Sequence, residues 1–200
     1  MLGIRWRFTH KEKTIYLTFD DGPIPEVTPW VLDLLDKYQI KATFFCVGEN
    51  VYKYPDIYQE LLRRGHKTGN HSYNHLQGIH THSDSYVENV EKAARLIKSD
   101  LFRPPHGIMR CAQLRKLRQR YRIVLWDVVP HDYNRKRSPE KVLKTAIRYT
   151  RGGSIIVFHD SLKAQRNMQY ALPKYIEHCL SEGYSFKTLS SWQPSTLSHR

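Results

Sequence analysis

Strand-like and helix-like segments alternate along this chain from Thr14 to Leu189, and few folds accept that pattern. Residues 14–19, the apolar stretch "KATFFCVG", the short segments "HKTGN" and "LFR", residues 122–127 ("RIVLWD"), "GSIIVFHD" and "SFKTL" read as about seven strands. The intervening segments carry helical signals. "TPWVLDLLDKY" has Thr28 as N-cap, Pro29 at the first helical position, and Val31, Leu32, Leu34 and Leu35 facing inward. "PDIYQELLRRG" opens near Pro55 and stops at Gly65, and further helices are predicted over 85–98, 111–119 and "SPEKVLKTAIRY", capped by Ser138. The last, "NMQYALPKYIEHCLSEG", is expected to be interrupted by Pro173 and ended by Gly183. Strand–helix–strand units cross over right-handed, so the series predicts an α/β protein with a parallel sheet, open or closed as a barrel. No repeat of 20–50 residues and no glycine-rich phosphate loop after a strand is visible, which argues against a solenoid and a nucleotide-binding sheet.

A chain of 200 residues with 40% hydrophobic content is long enough for one sizeable core. Residues 1–192 are expected to form a single globular domain, followed by a mobile polar tail over 193–200. No apolar run reaches the roughly 18 residues of a membrane span, and "MLGIRWRFTHKEK" lacks signal-peptide features. The expectation is a protein soluble where it is made, cytoplasmic or membrane-peripheral. Cys46, Cys111 and Cys179 are too widely spaced for a disulfide framework or zinc ribbon and read as buried or neutral residues. The net charge of +13 suggests attraction to an anionic polymer or an acidic membrane face, without specific nucleic-acid recognition. Much of it lies in "RKLRQRYR" and "RKRS", where a solvated helix face and a loop are the plainer readings.

The stretch "TFDDGP" places Asp20 and Asp21 side by side after the first strand. Asp-Gly-Pro is ordinary turn chemistry, with Gly22 free to adopt positive φ, so a functional reading needs partners elsewhere. They fall at corresponding places: His71 follows the third strand, Arg103 the fourth, Asp127 and Asp132 the fifth, and His159 ends the sixth. All lie at the C-terminal ends of parallel strands, where α/β folds gather their active sites. His71 and His75 stand four apart, so one helical turn would aim both imidazoles the same way, although such a pair also arises without a metal. With Asp21 they make a three-ligand site that leaves coordination positions open, and Asp20 is then free to act as a base. The cation offsets the repulsion between the two carboxylates.

These residues sit in motifs that resemble those of the polysaccharide deacetylases of the NodB-homology type, carbohydrate esterase family 4. "TFDDGP" is similar to the first motif, which implies Asp20 as base and Asp21 as ligand; "HSYNH" is similar to the second, implying His71 and His75 as ligands. "RPPHG" resembles the third, where Arg103 would orient the base and the backbone N–H of His106, in place of the usual tyrosine, would help bind an oxyanion. "IVFH" resembles the fifth, whose histidine, His159, is the acid. The resemblance implies a distorted (β/α) barrel of seven or eight strands, one divalent ion, zinc by preference, and removal of N-acetyl or O-acetyl groups from an acetylated glycan.

"VVPHDY" is a degraded fourth motif. Val129 occupies the place of an aspartate that in the family pairs with the catalytic histidine, while Asp132 and Tyr133 match the motif's end, Tyr133 standing for a tryptophan. Either His159 lacks a carboxylate partner or Asp132, three residues on, replaces it. Two other readings stand beside the deacetylase: a catalytically silent glycan-binding domain, which Val129 favours, and a non-haem iron oxygenase, since two histidines and a carboxylate also describe that site.

Overall fold

The computed structural model describes residues 3–9 and 12–189; the tail expected over 193–200 lies outside them. In chain order the elements are β1 (Ile4–Arg5), β2 (Thr14–Asp20), α1 (Thr28–Lys37), β3 (Thr43–Cys46), α2 (Gly48–Lys53), α3 (Pro55–Arg63), β4 (Lys67–Asn70), α4 (Ser83–Ala94), β5 (Leu101–Phe102), α5 (Cys111–Leu117), β6 (Arg122–Val124), α6 (Pro139–Tyr149), β7 (Ile155–His159), α7 (Gln165–Ser181) and β8 (Ser185–Phe186). The eight strands form one sheet in the order β1-β6-β5-β4-β3-β2-β7, with β8 on β2, and every named pair is parallel. Val128, just past β6, bridges Ile156 of β7, and Arg7, past β1, bridges Ser154. These bridges bring the two edges together, so the sheet curls into the expected distorted barrel.

β2 explains how one strand serves two environments. Its sequence alternates, yet all seven residues are buried because β3 and β7 flank it and both faces are covered. Ile15, Leu17 and Phe19 face the helices and pack with residues such as Leu32, Leu172 and Ile176. Tyr16, on the other face, joins Phe45, Leu101, Val124 and Ile155 in a second cluster that fills the barrel floor. Thr18 and Asp20 continue that inner face upward, so the alternation raises polar groups from the floor to the rim.

Several boundaries differ from the sequence reading. Thr28 is the first helical residue rather than the cap; its hydroxyl accepts from the Ile24 N–H and donates to Asp160, both at 2.7 Å. The helix predicted over 85–98 runs from Ser83 to Ala94, and β1 and α2 were not anticipated. Pro173 does not interrupt α7, which continues through it, because Ala171, Leu172, Tyr175 and Ile176 remain buried on one apolar face. Cys46 and Cys179 are buried free thiols, whereas Cys111 is exposed at the start of α5. No helix of the described residues is long and apolar enough to cross a membrane.

Candidate active site

Strand register brings the motif residues together. Asp20 pairs with His159 across β2 and β7, and Asn70 pairs with Phe102 across β4 and β5, which sets His71 and Arg103 side by side immediately after those strands. Asp20, His71 and His159, together with Asp21, His75 and His106, line one rim pocket with Trp126, His131 and Lys163, while Arg103 is fully buried and does not line it.

Asp21, His71 and His75 are the one group of three or more potential ligands found among the described residues, with donor atoms within 4.8 Å of one another. His75 Nε2 is 3.4 Å from Asp21 Oδ1, and His71 Nε2 is 3.9 Å from the same oxygen. The Nδ1–H of His71 donates to the Arg103 carbonyl at 2.7 Å, leaving Nε2 as the acceptor facing Asp21. Burial pushes the His71 imidazole down to about 4, so it is neutral at neutral pH, as a metal ligand must be. Burial opposes ionisation of Asp21, but the facing imidazoles of His159, His71 and His75 hold its carboxyl below the usual range. This donor set, two nitrogens and one oxygen on a partly open rim, fits a divalent metal.

The two histidines do not converge through a helical turn. The 71–75 segment is a loop in which Ser72 and His75 both take positive φ. It is shaped by Asn70 Oδ1 accepting from Ser72 N–H and Asn89 Oδ1 accepting from Tyr73 N–H, each at 2.9 Å. Neither asparagine stood out in the sequence. Positive φ also occurs at Asp21, His106 and His131, so four of the six such non-glycine residues described line the pocket.

The first motif also departs from the expected turn. Positive φ falls on Asp21, not Gly22. Gly22 is needed for closeness, because a Cβ there would lie 1.9 Å from Asp160 Oδ2. Asp160 accepts from Gly22 N–H at 3.0 Å and from the Thr28 hydroxyl at 2.7 Å, tying the Asp20–Asp21 loop to β7 and α1. Its carboxyl is pushed up to about 8, by burial first and by the Asp21 charge in addition. The only sequence signal for it was an acid directly after His159.

Arg103 is fully buried beneath the carboxylates. Its guanidinium donates to Asp20 Oδ1 at 2.6 Å, Thr18 Oγ1 at 2.8 Å, and the carbonyls of Val124 and Leu125 at 3.2 and 3.1 Å. It lies 4.1 Å over the Phe45 ring, on top of the barrel floor. Burial lowers its affinity for the proton, yet Asp20 opposes that and the planar donors are almost fully used.

His159 has a partner. Asp132, fully buried, accepts from the His159 backbone N–H and from its Nδ1, both at 2.8 Å. Burial disfavours the imidazolium, but Asp132 first, then Asp21 and Asp20, outweigh it and raise His159 to about 9. Asn167 donates to the carbonyls of Asp132, Asn134 and Arg137 and so holds this loop in place. Tyr133 packs edge-on against His159 with ring centroids 4.9 Å apart, while Val129 is part of the pocket wall. Asp127 does not line this pocket: it accepts from Ser154 Oγ and Ile155 N–H and ties the end of β6 to β7. His106, at φ 59°, sets its exposed imidazole 4.9 Å from that of His75, with Nε2 3.1 Å from Gln77.

Residues 8–121 match the polysaccharide deacetylase family. A peptidoglycan-N-acetylglucosamine deacetylase of Bacillus cereus is 34% identical over 196 residues, spanning 94% of this chain and 91% of that protein. The Bacillus subtilis peptidoglycan-N-acetylmuramic acid deacetylase PdaA is 32% identical over 189 residues, 90% of this chain and 71% of its own length. Among solved structures, the Bc1960 peptidoglycan N-acetylglucosamine deacetylase superposes with a TM-score of 0.88 at 31% identity, covering 94% of this chain and 91% of the other. A rim that gathers these motifs on a curled parallel sheet, with such relatives, places the chain in the polysaccharide deacetylase family, carbohydrate esterase family 4, as a hydrolase of carbon–nitrogen bonds.

Proposed function

We propose that this chain removes the N-acetyl group from an amino sugar of a peptidoglycan-type glycan, with Asp20 as base and His159 as acid. The observation that carries the division of labour is the placement of two differently partnered groups on one pocket: Asp20 held by Arg103, and His159 held by Asp132. The relatives' substrates support the choice of glycan.

Asp21, His71 and His75 would hold a divalent ion, zinc by the nitrogen-and-oxygen donor set, and when bound it supplies a Lewis acid that polarises the acetyl carbonyl and lowers the pKa of water. Asp20 takes the proton of the attacking water, its carboxylate kept aimed by Arg103. The backbone N–H of His106 contributes a hydrogen bond to the developing oxyanion. His159 carries a proton at neutral pH and delivers it to the leaving amine; its Nδ1 is engaged by Asp132, so Nε2 is the donor. Tyr133 and Trp126 wall the space beside them. An iron oxygenase would use the same three ligands but would leave Asp20, Arg103 and His159 without roles.

Acetate release from peptidoglycan fragments, chitin oligomers and acetyl-xylan, with metal analysis of the same sample, tests the reading. Release from the first with stoichiometric divalent metal is expected. Turnover of acetyl-xylan alone would overturn the N-acetyl assignment.

A further inference from the structure

The chain's excess positive charge is not evenly spent. On and after α5, Lys116 pairs with Asp84, Arg120 with Glu91 and Arg122 with Asp100. Arg137 and, on one face of α6, Lys141, Lys144 and Arg148 form no ion pair among the described residues. These four line a cavity of about 570 Å³ that shares Val129 and His131 with the catalytic pocket. The groove therefore adjoins the catalytic pocket, the two sharing that wall.

Among the described residues Asp127 is the one carboxylate lining the groove, and both its oxygens are occupied, Oδ2 by Ser154 Oγ and Oδ1 by Ile155 N–H. Arg151 lies 3.8 Å from it. Arg137 is half-buried; its NH2 donates to Thr145 Oγ1, while its Nε is buried and meets no acceptor among the described residues. Arg118 has a buried Nε in the same state, so what sets Arg137 apart is its place in the groove wall beside three other cations. Four uncompensated cations around a concave wall focus their field into it.

We infer that this groove is an anion subsite for the glycan, taking a carboxylate-bearing substituent of a sugar next to the one whose acetamide occupies the catalytic pocket. The inference rests on the deacetylase reading and adds to it a substrate class, an acidic rather than a neutral glycan. Lys141, Lys144 and Arg148 supply attraction from the exposed face, and the half-buried Arg137 adds its charge from within the wall.

The test compares wild type with a Lys141→Gln/Lys144→Gln/Arg148→Gln variant, all three residues being exposed and outside the catalytic machinery. A control variant, Arg115→Gln/Lys116→Gln/Arg120→Gln, makes the same charge change on exposed residues that do not line the groove. The ligands are a tetramer alternating N-acetylglucosamine with its 3-O-lactyl ether, the same tetramer with the lactyl carboxylates methyl-esterified, and neutral chitotetraose. Calorimetric Kd, with KM and kcat alongside, is the readout. The groove variant is expected to weaken binding of the carboxylate tetramer ~10-fold or more at low salt and to flatten its salt dependence, leaving the ester and chitotetraose unchanged. Equal losses for the ester, equal losses in the control variant, or no loss for the acid would overturn the subsite. Because Kd is read without turnover, charge selectivity with no acetate release would refute the deacetylase reading alone, and acetate release without selectivity would refute the subsite alone.

Discussion

The Asp132 carboxylate bonds His159 twice, through the backbone N–H and through imidazole Nδ1, each at 2.8 Å. The carboxylate that faces His159 is thus Asp132, three residues beyond Val129, which lines the pocket wall. Asp132→Asn removes the charge and turns one acceptor into a donor, so the imidazolium loses its main support. His159 is raised to about 9, which means that the acid is present below that pH and lost above it. A cation on Asp21 cancels part of the negative charge facing His159, so the metal-loaded enzyme loses its acid at a somewhat lower pH. In Asp132→Asn the alkaline limb of the kcat/KM profile should move down by about 1–2 pH units at constant metal occupancy. An unmoved limb would refute the pairing's role in catalysis.

Asp20→Asn should keep the metal and lose roughly 10²–10⁴ in kcat, the usual contribution of a general base. Asp21→Ala, His71→Ala and His75→Ala should lose metal and activity together, because each removes one of the three candidate ligands found among the described residues. Metal content per chain, measured beside turnover, separates the two classes; wild-type turnover in fully loaded Asp20→Asn would end the assignment.

Gly22→Ala forces a methyl into the Asp160 carboxylate, which Gly22 N–H and Thr28 hold in place. The expected cost is about 1–3 kcal/mol of overpacking. It should be accompanied by weaker metal binding, because the displaced loop carries Asp21. Urea unfolding of the metal-free protein and a metal titration report the two effects separately.

Arg103→Lys keeps a charge but lacks the fork that reaches Asp20, Thr18 and two carbonyls at once. With Asp20 left poorly paired in a buried place, the variant should lose about 3–5 kcal/mol of stability and most of its kcat. Chemical denaturation checks the first, and a variant as stable as wild type would show that the ammonium rebuilds the contacts.

The sequence by itself determined the alternation of strands and helices, and with it the parallel sheet and the rim on which active residues gather. It also pointed to the residues that gather on that rim, because "TFDDGP", "HSYNH", "RPPHG" and "IVFH" are local words that can be read from neighbours in the chain. Contacts between distant segments were not legible. Whether Asp127, Val129 or Asp132 faces His159 depends on how the loop after β6 folds back, and Asn167, 35 residues away, holds that loop. The convergence of His71 and His75 depends on positive φ values that Asn70 and Asn89 stabilise, not on a helical turn. Asp160 and the closeness it demands of Gly22 exist only once β7 lies beside β2. Charge divides in the same way: a count gives +13, but only packing decides which cations find carboxylates and which are left facing the groove beside the catalytic pocket. Periodicity and motif spacing are properties of neighbours in the chain, whereas hydrogen-bond partners and uncompensated charges belong to neighbours in space.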